Sequence, residues 1–178
     1  MEFNAAQREM SQAHVGGAPG ILVSGLAWLC AGIVWSQRGT VTAFAALFVG
    51  GMLIVPVSLL MCRLLFRAPK PSPANPLERL GLETAFFLFG GLAIGYAALQ
   101  VAPELALPAF AIIIGARYTS FRSLYDEPLY WVLGGLIAMA GALVMFRIVA
   151  LPGNLAIIVG VIELVLAGVV LARQRRKA

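Results

Sequence analysis

Six apolar segments succeed one another along most of this chain, and no interval between them is long enough to hold a soluble domain. They run from about Gly20 to Ser36, Val41 to Leu65, Leu82 to Val101, Pro103 through the apolar run Ala109 to Ala116, Pro128 to Val149, and Asn154 to Ala172. A helix needs about 20 residues to cross the hydrocarbon of a bilayer. Lipid offers the backbone no hydrogen bonds, so a spanning segment must satisfy its own. The expected fold is therefore all-α, a polytopic six-helix transmembrane bundle. The side chains agree: 61% are hydrophobic and 12% charged, where soluble domains carry about 25% charged residues.

The stretches between and around these segments divide the chain. In residues 1–18, Phe3, Ala6, Met10 and Ala13 recur at helical spacing, which reads as an amphipathic arm lying at the interface. Gly16, Gly17, Pro19 and Gly20 then interrupt it. Residues 19–66 form a first helical hairpin, turned at Gln37 to Thr40 and kinked at Pro56. Residues 67–81, with Pro69, Pro71, Pro73 and Pro76, form a proline-rich cytoplasmic linker, irregular rather than helical. It reads as a stiff solvated connector, with a recognition site for a partner as the alternative. Residues 82–123 and 124–172 are the second and third hairpins, and 173–178 a basic cytoplasmic tail. Pro103 and Glu104 suit a first helical turn, and Asn154, after Pro152 and Gly153, suits a cap. A cleaved signal peptide is not expected, since the flank before the first segment carries Arg8 against Glu2 and Glu9, and five further segments follow.

Charge placement orients the bundle. With both termini cytoplasmic, alternation of six crossings puts 11 of the 13 basic residues inside, leaving only Arg38 and Arg147 outside. The expected location is the bacterial inner membrane, with anionic headgroups as partners of the basic tail. No basic stretch is interleaved with aromatic residues, so a nucleic-acid partner is not expected. Cys30 and Cys62 lie in apolar segments without zinc or redox spacing, and His14 is the single histidine. No metal, cofactor or catalytic residue is therefore assigned.

A weak internal repeat underlies the segments. FLFGG at Phe87 to Gly91 and WVLGG at Trp131 to Gly135 stand 44 residues apart; FAIIIG at Phe110 to Gly115 and LAIIVG at Leu155 to Gly160 stand 45 apart. Three parallel helical-hairpin repeats would produce this spacing, as would chance among low-complexity apolar segments. The glycines themselves are expected to bring helices close, because hydrocarbon does not drive helices together as water does.

Glu163 is the sharpest polar signal, about 15 Å into the last segment at 1.5 Å per residue. Arg117, where the fourth segment turns polar, is its expected partner at nearly the same depth, and Tyr118, Ser120 and Arg122 extend a polar region toward the cytoplasm. Such a region can pass or sense a small solute or ion; the alternative is a membrane interaction or assembly protein in which the buried ion pair is purely structural and fixes helix register. The two arginines could receive a phosphate or carboxylate, or serve as anchors in the headgroups. Enzyme signatures such as HExxH, GxSxG or a phosphate loop are missing, which leaves acid or arginine-assisted chemistry on a lipid headgroup as the enzymatic alternative.

GGAPGILVSGLAWLCAGIV (Gly16 to Val34), GARYTSF (Gly115 to Phe121) and the overall length resemble a family of small uncharacterised bacterial integral membrane proteins. The resemblance covers nearly the whole chain. It implies a multi-pass membrane fold and brings no established activity with it.

Overall fold

Glycine and proline set several of the helix ends. In the computed structural model, which describes residues 2–148 and 154–177, the described residues form helices and their connections, with no strand among them. The order is α1 (Phe3–Ala13), α2 (Ala18–Arg38), α3 (Thr40–Leu64), α4 (Leu77–Glu83), α5 (Ala85–Val101), α6 (Ala106–Tyr125), α7 (Leu129–Met145) and α8 (Leu155–Lys177), with 3-10 turns at Val15–Gly17 and Pro103–Leu105. The α1–α2 junction has left-handed backbone at Val15, Gly16 and Gly17, with φ of 53°, 61° and 79°. The two glycines adopt this at little cost, whereas the β-branched Val15 is strained there. Gly39, at φ 80°, is the single residue that separates α2 from α3.

Four helical segments are long and apolar enough to cross a membrane: Val15–Arg38, Thr40–Leu64, Leu77–Val101 and Leu155–Arg176. Against the six crossings expected, α7 is apolar but shorter, at 17 residues, and α6 carries Arg117 and Arg122 among its 20. The span opening expected at Pro152 and Gly153 lies outside the described residues. Asn154 caps α8 as expected, its Oδ1 accepting the Ile157 amide at 2.9 Å while its Nδ2 donates to the Gly32 carbonyl at 2.7 Å.

The helices pack in chain order around a shared core: α2 against α3, α5 against α6, α6 against α7 and α7 against α8, with α8 closing back onto α2. Trp28, Phe110 and Phe44 meet near the centre, with ring centroids 5.8 and 5.9 Å apart. Outward, α3 and α5 expose Val49, Met52, Val55, Leu64, Phe86, Phe89 and Val101. Contiguous apolar faces of that size suit hydrocarbon and not water, so the fold is compatible with a multi-pass membrane protein.

Glycine permits the two tightest crossings. A Cβ at Gly115 would lie 2.6 Å from the Gly134 carbonyl oxygen and from the Ala138 amide nitrogen, so α6 and α7 meet backbone to backbone. A Cβ at Gly160 would lie 2.9 Å from the Gly25 carbonyl oxygen, so α8 meets α2 in the same way. The matched repeat glycines thus share a role at 115 and 160. At 91 and 135 they do not, because Gly91 faces Phe110 and Ile113 whereas Gly135 faces open space.

The amino-terminal arm packs against the end of the bundle. Ala6 and Met10 are buried with Leu77 and Leu124, while Phe3 is exposed. Gln7 donates to the Ser123 carbonyl at 2.6 Å. The proline-rich stretch is tied to the same helix: the Ser72 amide donates to Glu9 at 2.8 Å, and the Asn75 side chain donates to Glu9 at 2.6 Å and to the Ala6 carbonyl at 3.1 Å. Helix α4 begins inside the stretch expected to be irregular, because buried Asn75 also accepts the Leu77 amide at 3.0 Å and so starts a turn. One end of the molecule therefore gathers α1, the linker, the α6–α7 turn and the α8 carboxyl end. At the other end lie Arg38, Asn154 and the exposed Arg147–Glu104 pair, 3.9 Å apart.

A buried carboxyl between three helices

The α2–α8 crossing at Gly25 and Gly160 presses the middle of α8 against α2. A Cβ at Gly25 would stand 3.1 Å from the Cβ of Glu163, and this closeness turns the Glu163 side chain inward, where it is fully buried. Its Oε1 accepts two hydrogen bonds, from Ser24 Oγ on α2 at 3.1 Å and from the Tyr118 hydroxyl on α6 at 2.8 Å. Its Oε2 is buried and has no hydrogen-bond partner among the described residues. An acid is thus held by two neutral donors, one from each of two other helices, both on the same oxygen.

The expected pair between Glu163 and Arg117 is not formed among the described residues, and neighbouring side chains explain why. At the break between α4 and α5, Thr84 Oγ1 donates to the Gly81 carbonyl at 2.7 Å. The Thr84 carbonyl at this break is taken by Arg117 Nε at 3.1 Å, while the guanidinium lies 5.0 Å from the centre of the Phe121 ring. Arg117 therefore points toward α5, and Tyr118, the next residue, points toward α8. Successive helical residues diverge by about 100°, so depth alone could not distinguish the two.

The other residues of the expected polar region separate in the same way. Arg122 pairs with Asp126 at 3.2 Å on the surface, with its guanidinium 5.8 Å from the Trp131 ring centre. Ser120 is half-buried and makes no side-chain hydrogen bond. The acidic turn after α6 does meet the basic tail: buried Glu127 accepts from Arg173 at 2.6 Å.

Between Glu163 and the end covered by α1 lies an aromatic cluster. Tyr118 stacks on Tyr130 at 6.1 Å, and Phe121 and Tyr125 pack on Tyr130 at 5.5 and 5.7 Å. The Tyr130 hydroxyl donates to the Gly16 carbonyl at 2.8 Å, and a Cβ on Gly17 would overlap that hydroxyl. The two glycines of the α1–α2 turn therefore make room for a tyrosine of α7. Beside them His14 lies 6.1 Å from the Tyr125 ring, and burial with the nearby Arg63 guanidinium holds its imidazole below the ordinary value of 6.5, against an opposing pull from Glu78.

Ser24 and Tyr130 are the site residues that sequence reasoning did not single out. Ser24 carried a signal, as a hydroxyl beside Gly25 in an otherwise apolar segment. Tyr130 carried none, since an aromatic near a span end suits an interface equally well. Among the described residues no group of three or more His, Cys, Asp or Glu side chains could hold a metal ion.

Comparison with curated proteins and with solved structures returns no match. Residues 3–173 match a family of unknown function, DUF7010, and the chain belongs to it.

Proposed function

From membership of a family without an assigned activity, we propose that this chain is a six-span integral membrane protein of the bacterial inner membrane that moves or senses a small solute or ion at the Glu163 site. The observation that carries the reading is a fully buried carboxyl, held by Ser24 and Tyr118, with one oxygen left unpartnered. An ionisable group placed so deep is costly, and a ligand taken at the free oxygen accounts for its presence. In this reading α6 and α7 cross together with the four longer helices, with Arg117 turned toward α5 and Tyr118 toward α8. Both termini face the cytoplasm, where the end holding α1, the linker and the tail carries most of the basic residues and meets anionic headgroups.

A structural reading has its own support. Glu163 is fully buried, and three helices meet on its one carboxyl, which would fix their register. Purified wild type and Glu163→Gln, placed in liposomes at equal folded amounts, separate the two. Transport requires that flux of a small ion or solute drop in the variant. Equal flux with lower thermal stability in the variant would leave the register role.

A further inference from the structure

The space around Glu163 restricts what can bind there. Gly25 and Leu164 close one side, with a Cβ at Gly25 only 3.0 Å from the Leu164 side chain. The nearby hollow of about 100 Å³, lined by Ala18, Pro19, Leu22, Met61, Leu164 and Leu171 among others, is apolar and does not reach the carboxyl. An organic solute has no room at the site. A metal cation is disfavoured for a different reason. Calcium and magnesium take about six or more oxygens, whereas the site offers one carboxylate and two hydroxyls, and both hydroxyls already donate to Oε1. What remains is a ligand that needs a single lone pair and no volume.

We infer that the ligand of this site is the proton, taken up on Oε2 of Glu163; this rests on the transport-or-sensing reading above and narrows it to one ligand class. In the net exchange an O–H bond of a hydronium ion in bulk solvent breaks, an O–H bond forms on Oε2, and the water molecule stays in the bulk. Release is the reverse, and no electron is exchanged. Ser24 and Tyr118 keep their hydrogen bonds to Oε1 in both states, so the carboxyl stays oriented while its charge changes. The groups facing it are Ser24 from α2 and Tyr118 from α6. Arg117, also on α6, is held at the Thr84 carbonyl; Tyr130 of α7 lies behind Tyr118 with its hydroxyl on Gly16; and Arg173 of α8 is held by Glu127. Among the described residues no cationic side chain forms an ion pair with the carboxyl.

The full-length protein is reconstituted in phospholipid vesicles that contain a pH-sensitive dye, with membrane potential clamped by potassium and an ionophore, and a pH step is applied. In parallel, infrared difference spectra of detergent-solubilised protein are taken between acid and alkaline buffer. Expected are dye responses lost in Glu163→Gln to the level of empty vesicles. A protonated-carboxyl band absent from Glu163→Gln and shifted in Tyr118→Phe is expected as well, and the latter variant keeps the ring packing if the former fails to fold. A carboxyl band with no proton in any buffer overturns the inference. Alkali cations or solutes that move while protons do not would overturn it too and leave the transport reading standing. A titrating carboxyl with no flux of any kind supports the proton and removes transport in favour of sensing.

Discussion

At the scale of single residues, a buried acid and a histidine perturbed by burial are two groups that answer to their surroundings. His14 has its imidazole pushed below its ordinary value of 6.5 by burial and by Arg63. The unfolded chain therefore binds a proton at a higher pH than the folded chain does, and stability falls as pH drops below about 6.5. Thermal unfolding of the detergent-solubilised protein is expected to show a lower midpoint at about pH 5.5 than at about pH 7.5. His14→Gln should remove that part of the difference, and an unchanged pH profile in the variant would exclude the histidine as its source. Glu163 was legible from the sequence because an acid within an apolar segment has few places to be. Its partners were not, because which of two adjacent residues, Arg117 or Tyr118, faces α8 depends on the rotation of α6 about its axis.

That rotation is decided at the scale of helices by where they touch. At Gly115 the α6 backbone rests on α7, and any side chain there must push against Gly134 and Ala138 main-chain atoms. Gly115→Ala is expected to cost about 1–3 kcal/mol through overpacking, read as a shift in the unfolding midpoint in mixed micelles, and to displace Tyr118 from Glu163. Gly135→Ala, facing open space, should be close to neutral. Equal effects at the two positions would mean that the crossing does not set the site. The sequence made the need for close approach visible in its many glycines. It did not reveal which ones face a neighbour, because Gly115 and Gly135 each follow an apolar run and the direction each points is set by how its helix is rotated. The α4 helix was hidden for a related reason: the prolines before it suggested an irregular stretch, and the cap that starts it comes from Asn75, whose other contacts lie on a helix more than sixty residues away.

At the scale of the whole molecule, the arm, the linker and the tail form one lid over the end of the bundle nearest the tyrosines. Asn75 fastens α1 to α4 through Ala6 and Glu9. Asn75→Ala should release the arm: limited proteolysis is expected to cut within residues 3–13 faster than in wild type while the spans stay protected. Protection equal to wild type would show that the apolar contacts of Met10 suffice to hold it. The arrangement also bears on synthesis. The carboxyl at 163 is met by hydroxyls from the first long helix and from α6, so the ribosome must have made α2 through α8 before the three groups can meet. Until α8 arrives, Ser24 and Tyr118 lack the acceptor they share. A chain that stops short of α8 therefore leaves two polar groups unsatisfied in a nascent bundle, a defect that a protease surveying the membrane could recognise.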